Sequence, residues 1–409
     1  MDTDRKPRRA AVALTLRWLA VLTLVAYPIA GLLASLTDVD STVASYPFRL
    51  IVALCSAKLL LDFARTTRGW YRGRWLLLFW AIYGARLVWD WGVASVPGAG
   101  DALFFFLVAV LVPSLALLPA APAFNERRTA RLLLWVGAGI CGAAVLMQQL
   151  QWGLNRALGD ATGRLSFEAV NAITLGHVAV STLIAALCLT RMRGGPLHWL
   201  WLASASALAL ACLVLSASRG PALALIVCTV AFAILTGRWR WLLLGLVIAP
   251  QLIGGDAEIG QRFIGIEQDE SALERLLLQG NAIAQFIGNP LLGSAFVETE
   301  FLSYPHNLFI ETAMALGVLG LLVLLIVLAQ SARRALQAAR EGQLLLPLLY
   351  LQYLLAAQFS GALYGHAAFW ATTALLVGLA PAAGRLMRIR PQPPNPHIQF
   401  VQPSRSKTA

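Results

Sequence analysis

Charge of either sign is scarce in this sequence. Asp, Glu, Lys and Arg make up only 13% of its 409 residues, while hydrophobic residues make up 58%. A soluble domain carries about 25% charged residues. The length alone would suit two or three soluble domains, but this lack of charge argues against them. The mean hydropathy of +0.70 indicates a membrane protein instead.

Cysteine pairs and basic clusters are missing as well. The cysteines all lie within apolar runs, without CxxC spacing or a nearby histidine cluster, so we expect buried thiols and no metal site. The net charge of +12 is spread over many short loops, which argues against a nucleic-acid-binding protein. The cysteines are Cys55, Cys141, Cys188, Cys212 and Cys228.

Long apolar runs are what the sequence does have. Each run of roughly 17–22 residues can cross a bilayer core of about 30 Å as a helix, and alternating barrel strands would not produce it. The sequence therefore predicts an all-α polytopic membrane protein with about twelve transmembrane helices. The first run follows a basic N-terminus without a clear cleavage site, which indicates an uncleaved first helix. The predicted spans are 17–36, 47–64, 75–95, 102–121, 131–150, 169–190, 197–216, 220–236, 239–254, 306–330, 344–361 and 366–385.

The loops between these runs alternate between a basic set and an acidic or nearly neutral set. Because basic loops stay in the cytoplasm, both termini are predicted to be cytoplasmic and the acidic loops external. We expect nine spans in 1–254, a large external loop with short helices in 255–305, three spans in 306–390, and a disordered cytoplasmic tail in 391–409.

The long external loop contains a predicted amphipathic helix. Ser271-Ala272-Leu273-Glu274 fits a capping box, and apolar or small residues recur at helical spacing until Asn289-Pro290 ends the pattern. A helix here would lie on the membrane surface or pack over the mouth of the helix bundle. Arg275 lies in its first turns, and Arg262 precedes it in a locally acidic stretch.

Two further polar residues are predicted at the external surface. Pro305 is typical of a first helical turn, so His306 should begin the tenth span, where the helix dipole favours a neutral imidazole that can accept a proton. Arg219 lies in the tight turn that opens the eighth span. Each has a structural alternative: Arg219 could snorkel at a helix end, Arg275 could pair with a neighbouring glutamate, and His306 could be a polar helix-start residue.

Two pairs of opposite charges lie inside predicted spans. Lys58 with Asp62, and Arg86 with Asp90, are spaced i,i+4, so we expect structural ion pairs on single helices. Arg86 with Asp90 lies nearer the external side and could instead border a cavity there.

Three other polar residues have separate expectations. His177 is mid-span and should be a packing histidine, while His366 is a candidate cavity residue at the external end of the last span. Glu311 follows His306 by five residues, which places it on a different helical face and argues against direct pairing with that histidine.

An ordered set of short motifs occupies residues 262–330, together with Ser218-Arg219-Gly220 in the preceding external turn. This order resembles the O-antigen ligase and O-antigen polymerase superfamily of bacterial inner-membrane proteins. The motifs are Glu274-Arg275, Asn289-Pro290-Leu291-Leu292-Gly293, Pro305-His306-Asn307-Leu308 with Glu311, and Leu316-Gly317-Val318-Leu319-Gly320-Leu321.

The resemblance implies transfer of a glycan from an undecaprenyl diphosphate carrier on the periplasmic side. The acceptor would be a sugar hydroxyl of lipid A–core in a ligase, another lipid-linked glycan in a polymerase, or a Ser or Thr in a protein-directed relative. By position, Arg219 and Arg275 match the family's diphosphate-binding arginines, and His306 matches its essential histidine. Family members often follow PLLG with GxG, whereas this chain has Gly293-Ser294-Ala295, so no ligand contact is predicted at 293–296.

The residue types suit this chemistry. Arginine binds phosphate bidentately and is always charged, and a neutral histidine can take the proton of the acceptor hydroxyl. Direct displacement predicts inversion at the anomeric carbon. No DxD-like acidic pair lies near these residues, so we expect neither metal nor cofactor. The leading hypothesis is a ligase, with a polymerase of the same superfamily second. A secondary transporter or flippase is the rival class, and it would carry charges near the bilayer midplane in two related halves.

Overall fold

Helices dominate the computed structural model, which describes residues 5–37, 39–63, 67–158, 165–167, 169–192, 194–240 and 270–380. No β-strand occurs among these residues beyond two isolated bridges. The first seven α-helices are α1 Arg5–Thr37, α2 Ser41–Phe63, α3 Thr67–Arg72, α4 Arg74–Gly92, α5 Ala99–Phe105, α6 Val112–Ala120 and α7 Glu126–Leu158. The remaining described α-helices are α8 Ala172–Leu189, α9 Pro196–Ser216, α10 Arg219–Thr236, α11 Glu270–Gly288, α12 Leu308–Arg340, α13 Leu345–Ala356 and α14 Ala367–Gly378.

Eight helical segments of the described chain are long and apolar enough to cross a membrane. A π-helical turn over Phe106–Leu111 joins α5 to α6, so that Ala99–Ala123 counts as one of them. The eight are Ala10–Thr37, Ser41–Phe63, Ala99–Ala123, Glu126–Leu150, Ala172–Leu189, Pro196–Ser216, Arg219–Thr236 and Leu308–Arg340. The prediction of an all-α polytopic membrane protein is therefore confirmed.

The other four predicted spans differ in outcome, so the count of twelve stays a prediction. The span at 75–95 is the 19-residue α4, whose apolar character is lowered by Arg86 and Asp90. The span at 239–254 lies almost wholly outside the described residues, as does the 391–409 tail. The last two are 12-residue helices, α13 and α14, each about 18 Å long and shorter than a bilayer core.

The connections between helices contact one another in two sets. In one set, Arg72 donates to the carbonyl of Gly378 (3.0 Å), Arg191 donates to that of Gly342 (2.8 Å), and Glu126 accepts from the Leu344 N–H (3.0 Å). In the other set, Leu165 N–H donates to Leu215 O (2.8 Å) and Leu308 N–H donates to Ala357 O (2.9 Å). These contacts join loops that the charge alternation assigns to the same side, whereas the cytoplasmic location of the termini stays a prediction.

Aromatic side chains fill the centre of the packed helices. Phe79 of α4 stacks on Trp370 of α14 with ring centroids 5.2 Å apart, and Tyr83 meets Phe106 edge to face at 5.3 Å. These rings are almost completely buried. Four of the five cysteines are buried free thiols and Cys55 is half-buried, which confirms the expected packing role for the four.

Helices α11 and α12 differ from the sequence prediction or refine it. Helix α12 is interrupted at Gly317, whose φ of 65° and ψ of −164° are not helical. Helix α11 ends just before Asn289-Pro290 as predicted, but it begins at Glu270, so Ser271 lies one residue inside the helix. The side chains of 270–272 lie outside the described part, so the predicted capping box is not tested.

Candidate active site

His306 lies outside helix α12, two residues before the helix begins at Leu308. The prediction that Pro305 lies in the first helical turn and that His306 begins the tenth span is wrong, because Asn307 is the N-cap: its Oδ1 accepts from the N–H groups of Phe309 (3.0 Å) and Ile310 (3.1 Å). An asparagine at this position satisfies two otherwise unpaired helix donors, so the helix begins at Leu308. His306 itself adopts a left-handed backbone conformation with φ of 54°.

One tyrosine packs against the His306 imidazole, and a second tyrosine packs against the first. The ring of Tyr304 meets it edge to face, with centroids 4.5 Å apart. Tyr304 also meets Tyr364 at 6.3 Å, and Tyr364 meets Phe296 at 6.0 Å. The Nδ1 atom of His306 is buried and has no hydrogen-bond partner among the described residues. The imidazole therefore lies beside the Tyr304 ring, with a ring nitrogen that no described protein group occupies.

Arg275 of α11 lies close enough to act electrostatically on this group. Burial, the larger cause, and the nearby Arg275 charge together lower the pKa of His306 to about 4. Burial also raises the pKa of the Tyr304 hydroxyl, an effect that Arg275 opposes. The predicted neutrality of His306 is thus supported, but burial is the larger cause, whereas the prediction relied on the helix dipole.

His366 lies in the same neighbourhood, in the connection before α14. It follows Tyr364, whose ring packs against the Tyr304 ring that meets His306. A Cβ on Gly361 would approach within 2.8 Å of the His366 Nε2 atom, so the ring packs directly on that glycine's backbone. We use the name "histidine group" for Arg275, Tyr304, His306, Tyr364 and His366.

Glu311 anchors the connection that carries Tyr364 and His366. It is buried, with 1% of its surface exposed, and its Oε1 accepts from the Leu363 N–H at 2.9 Å. The Leu363 carbonyl in turn accepts from the Trp370 indole N–H at 2.9 Å. Glu311 therefore positions a loop of the site and does not contact His306 in a described interaction, as the five-residue offset predicted.

Arg86 and Asp90 hold the segment that follows α11. The Arg86 guanidinium donates to the carbonyls of Ser294 (2.9 Å), Leu292 (3.1 Å) and Gly293 (3.5 Å). It also pairs with Asp90 at 3.3 Å, and the second Asp90 oxygen accepts from the Phe296 N–H at 2.8 Å. We call this set the "α4 tie". The predicted i,i+4 pair is confirmed, and its role in binding substrate stays a prediction.

Two glycines of the motifs meet back to back. A Cβ on Gly293 would overlap the backbone of Ala315, and a Cβ on Gly317 would overlap the backbone of Leu291. Both residues have positive φ angles, 70° and 65°, which L side chains rarely adopt. Ser294 N–H donates to Met314 O (2.9 Å) and Val318 N–H donates to Pro290 O (2.8 Å). The NPLLG element thus fits into the interruption of α12.

The remaining predicted residues have separate positions. Arg219 is the first residue of α10 and is half-buried, directly after the buried Ser218. Its approach to His306 stays a prediction, and Arg262 lies outside the described residues. His177 packs mid-helix beside the Tyr353 ring at 6.1 Å, and its carbonyl accepts from Gln352 at 2.8 Å, as expected of a packing histidine. Lys58 and Asp62 form their predicted ion pair at 2.9 Å.

Two aromatic residues of the site were not predicted. Tyr304 directly precedes the Pro305-His306-Asn307 motif, so its position two residues before His306 was the available signal. Tyr364 had the same signal two residues before His366. Among the described residues, no group of three or more His, Cys, Asp or Glu side chains could hold a metal ion. The histidine group offers a neutral imidazole that can accept a proton beside the positive charge of Arg275.

Comparison with known families gives one finding that covers the site. Residues 204–325 match the model of the O-antigen ligase family. This stretch contains most of α9, all of α10 and α11, and the first half of α12, and so includes Arg219, Arg275 and His306. The match confirms the resemblance to the O-antigen ligase superfamily, whose members are ligases and polymerases of glycans. No curated protein matches the chain.

Proposed function

We propose that this chain, which carries an O-antigen ligase family region, transfers O-antigen glycan from undecaprenyl diphosphate to a sugar hydroxyl of lipid A–core. Transfer would take place on the periplasmic side of the bacterial inner membrane, with both termini cytoplasmic. One observation carries the proposal: within the matched region, Arg275 lies close enough to His306 to help keep its imidazole neutral beside the Tyr304 ring.

The reaction assigns one task to each of these side chains. The neutral imidazole of His306 accepts the proton of the acceptor hydroxyl, and the resulting oxygen forms a bond to the anomeric carbon. The bond from that carbon to the diphosphate oxygen breaks, and its electron pair leaves with the diphosphate. Because attack and departure occur on opposite faces of the carbon, the product is inverted. Undecaprenyl diphosphate is the other product.

Arginine is suited to the charge that develops on the leaving group. Its planar fork donates two parallel hydrogen bonds to phosphate oxygens and stays charged at any relevant pH. We propose Arg275 and Arg219 as the pair that binds the diphosphate, with no metal ion required. Donors aimed at developing charge contribute about 10²–10³ in rate each.

Arginine substitutions in purified protein test the donor site. Arg275→Ala and Arg219→Ala should each lower transfer from a lipid-linked glycan to lipid A–core by about 10²–10³, and the lysine variants should recover little because they lack the fork. The exposed Arg127→Ala is the matched control and should stay fully active. Full activity in both site variants would defeat the assignment, and loss of wild-type transfer with EDTA would defeat the metal-free mechanism.

A deletion strain separates the ligase from the sister polymerase. Loss of a ligase leaves long glycan on the carrier and bare lipid A–core, whereas loss of a polymerase leaves single repeats attached to core. We expect the first pattern when lipopolysaccharide from the strain is run on a gel. The transporter class is disfavoured because Arg275, Tyr304 and His306 gather at one end of the bundle in one half of the chain, in contrast to paired midplane sites.

A further inference from the structure

Helix α11 presents its apolar residues away from the protein. Leu276, Leu277 and Ile287 are 62%, 52% and 69% exposed, and Gly280 and Ala284 between them are exposed as well. Helical spacing places all of these on one face. A surface helix in water has the opposite arrangement, with its apolar face toward the core. Contact of this exposed apolar face of α11 with water would therefore be energetically unfavourable.

The sheltered face of α11 is the more polar one. Arg275, Gln279 and Gln285 are half-buried there, around the buried Leu278 and Ala282. Gln285 donates to the carbonyl of Val297 at 3.1 Å and accepts from the Thr299 N–H at 3.1 Å. Gln285 thus binds protein groups while the leucines and isoleucines face outward, which is the arrangement of a helix that borders hydrocarbon.

The exposed apolar surface continues directly onto a membrane-spanning helix. Leu291 and Leu292 follow α11 and are 68% and 67% exposed. Their backbone lies against the interruption of α12, where Leu319 N–H approaches Leu291 O at 3.5 Å. Leu319 and Leu322 on that helix are themselves 53% and 51% exposed. One apolar strip therefore joins α11 to the lipid-facing side of α12.

The ends of α11 lie at different levels along α12. Its first turns carry Arg275, which acts on His306 just before α12 begins. Its last turn leads to Pro290, whose carbonyl accepts from Val318 N–H. Val318 is ten residues after the start of α12 at Leu308, a rise of about 15 Å along a helix. Helix α11 consequently descends beside α12 from the level of the histidine group.

Much of the polar backbone of the loop that returns from this depth is paired with protein groups. The carbonyls of 290 and 291 accept from α12, and those of 292, 293 and 294 accept from Arg86. The N–H groups of 293, 294 and 296 donate to Asn289 O, Met314 O and Asp90. Non-helical backbone is tolerated at membrane depth where protein groups satisfy it, and these contacts satisfy five carbonyls and three N–H groups of the loop independently of the exposed leucines.

We infer that residues 273–297 form a re-entrant hairpin whose exposed apolar face lies against the acyl chains of the bilayer. This differs from the two placements expected from sequence, on the membrane surface or over the bundle mouth. The occupant of the face is lipid, because the face is continuous with the exposed surface of a spanning helix. The hairpin does not depend on the reaction proposed above.

Spin-label accessibility in proteoliposomes tests the hairpin. Single cysteines replace Leu276, Ile287 and Leu291 in a background where the five native cysteines are changed to alanine, and each carries a nitroxide label. These labels should collide strongly with oxygen, which concentrates in acyl chains, and weakly with a water-soluble nickel complex. The immersion depth should increase from 276 to 287 to 291. Labels at the exposed Glu274 and Glu300 are the matched controls and should favour the nickel complex.

Two outcomes would overturn the inference. Labels at 276, 287 and 291 that meet the nickel complex as often as the controls would place the face in water. Labels that are immobilised and shielded from both reagents would mean that protein, such as a second copy of the chain, covers it. Gel filtration of each labelled variant in detergent confirms that it remains folded, since all three substitutions fall on exposed side chains.

Discussion

The histidine group and the α4 tie use the same kinds of side chain, yet they differ in how those side chains are engaged. In the α4 tie, Arg86 donates to three backbone carbonyls and to Asp90, and the second carboxylate oxygen of Asp90 accepts from the Phe296 N–H. In the histidine group, His306 keeps an Nδ1 without a described partner, beside an arginine. The polar groups of the α4 tie are engaged with protein atoms and hold the backbone in place, whereas His306 has a ring nitrogen that no described protein group occupies.

The largest expected effect is a loss of transfer activity without a loss of stability. His306→Ala should lower transfer by about 10²–10⁴, because the acceptor hydroxyl loses its base. The unfolding temperature, followed with a thiol-reactive dye on the buried cysteines, should barely change. His198→Ala at the start of α9 is the matched control and should transfer normally. Transfer at wild-type rate by His306→Ala would remove the histidine group from the mechanism.

The α4 tie should show the reverse behaviour. Asp90→Ala leaves Arg86 and the Phe296 N–H without their buried partner, and breaking a buried pair costs about 3–5 kcal/mol. We expect a markedly lower unfolding temperature in the same dye assay. Asp62→Ala is the control, because its partner Lys58 has a side chain 46% exposed and exposed pairs contribute about 0–1 kcal/mol. Equal effects in the two variants would contradict the contrast.

Much of this arrangement could be predicted from the sequence, and the parts that could not be predicted have physical causes. The lengths of the apolar runs predicted most of the helices. The order of the motifs predicted that Arg275 and His306 belong to one site. Two of the Arg86 acceptors, at 292 and 294, lie more than 200 residues away in the chain, and no local pattern encodes such a contact. The pairing of Gly293 with Gly317 is equally non-local. Pro305 was misplaced because proline preference is weaker than the two hydrogen bonds that Asn307 accepts.

The close packing of Gly293 and Gly317 against neighbouring backbone predicts a stability effect of intermediate size. Gly293→Ala adds a Cβ that overlaps the Ala315 backbone at a positive φ, so neither space nor conformation allows it, and we expect a loss of about 1–3 kcal/mol. Gly280→Ala on the exposed face of α11 meets nothing within 4 Å and should be neutral or slightly stabilising. Thermal unfolding of both variants in detergent makes the comparison, and a stable Gly293→Ala would count against the close approach.

The smallest effect is a shift in pH dependence. His306 must be neutral to act as a base, and its pKa is about 4, so kcat/KM should rise as the pH increases through about 4 and then level off. Arg275→Gln removes a charge that lowers this pKa, so the rising limb should move to higher pH. The shift should be modest because burial remains the larger cause. An unmoved limb would show that Arg275 does not act on the base.

The positive φ of His306 has a consequence for how the reaction begins. Histidine adopts this conformation more readily than most residues, yet holding it still costs energy of order 1 kcal/mol. The buried Pro305 before it and the helix-capping Asn307 after it keep the main chain in place. Folding therefore sets the direction of the imidazole before any glycan arrives, and complexes with donor or acceptor should show the ring in an unchanged orientation.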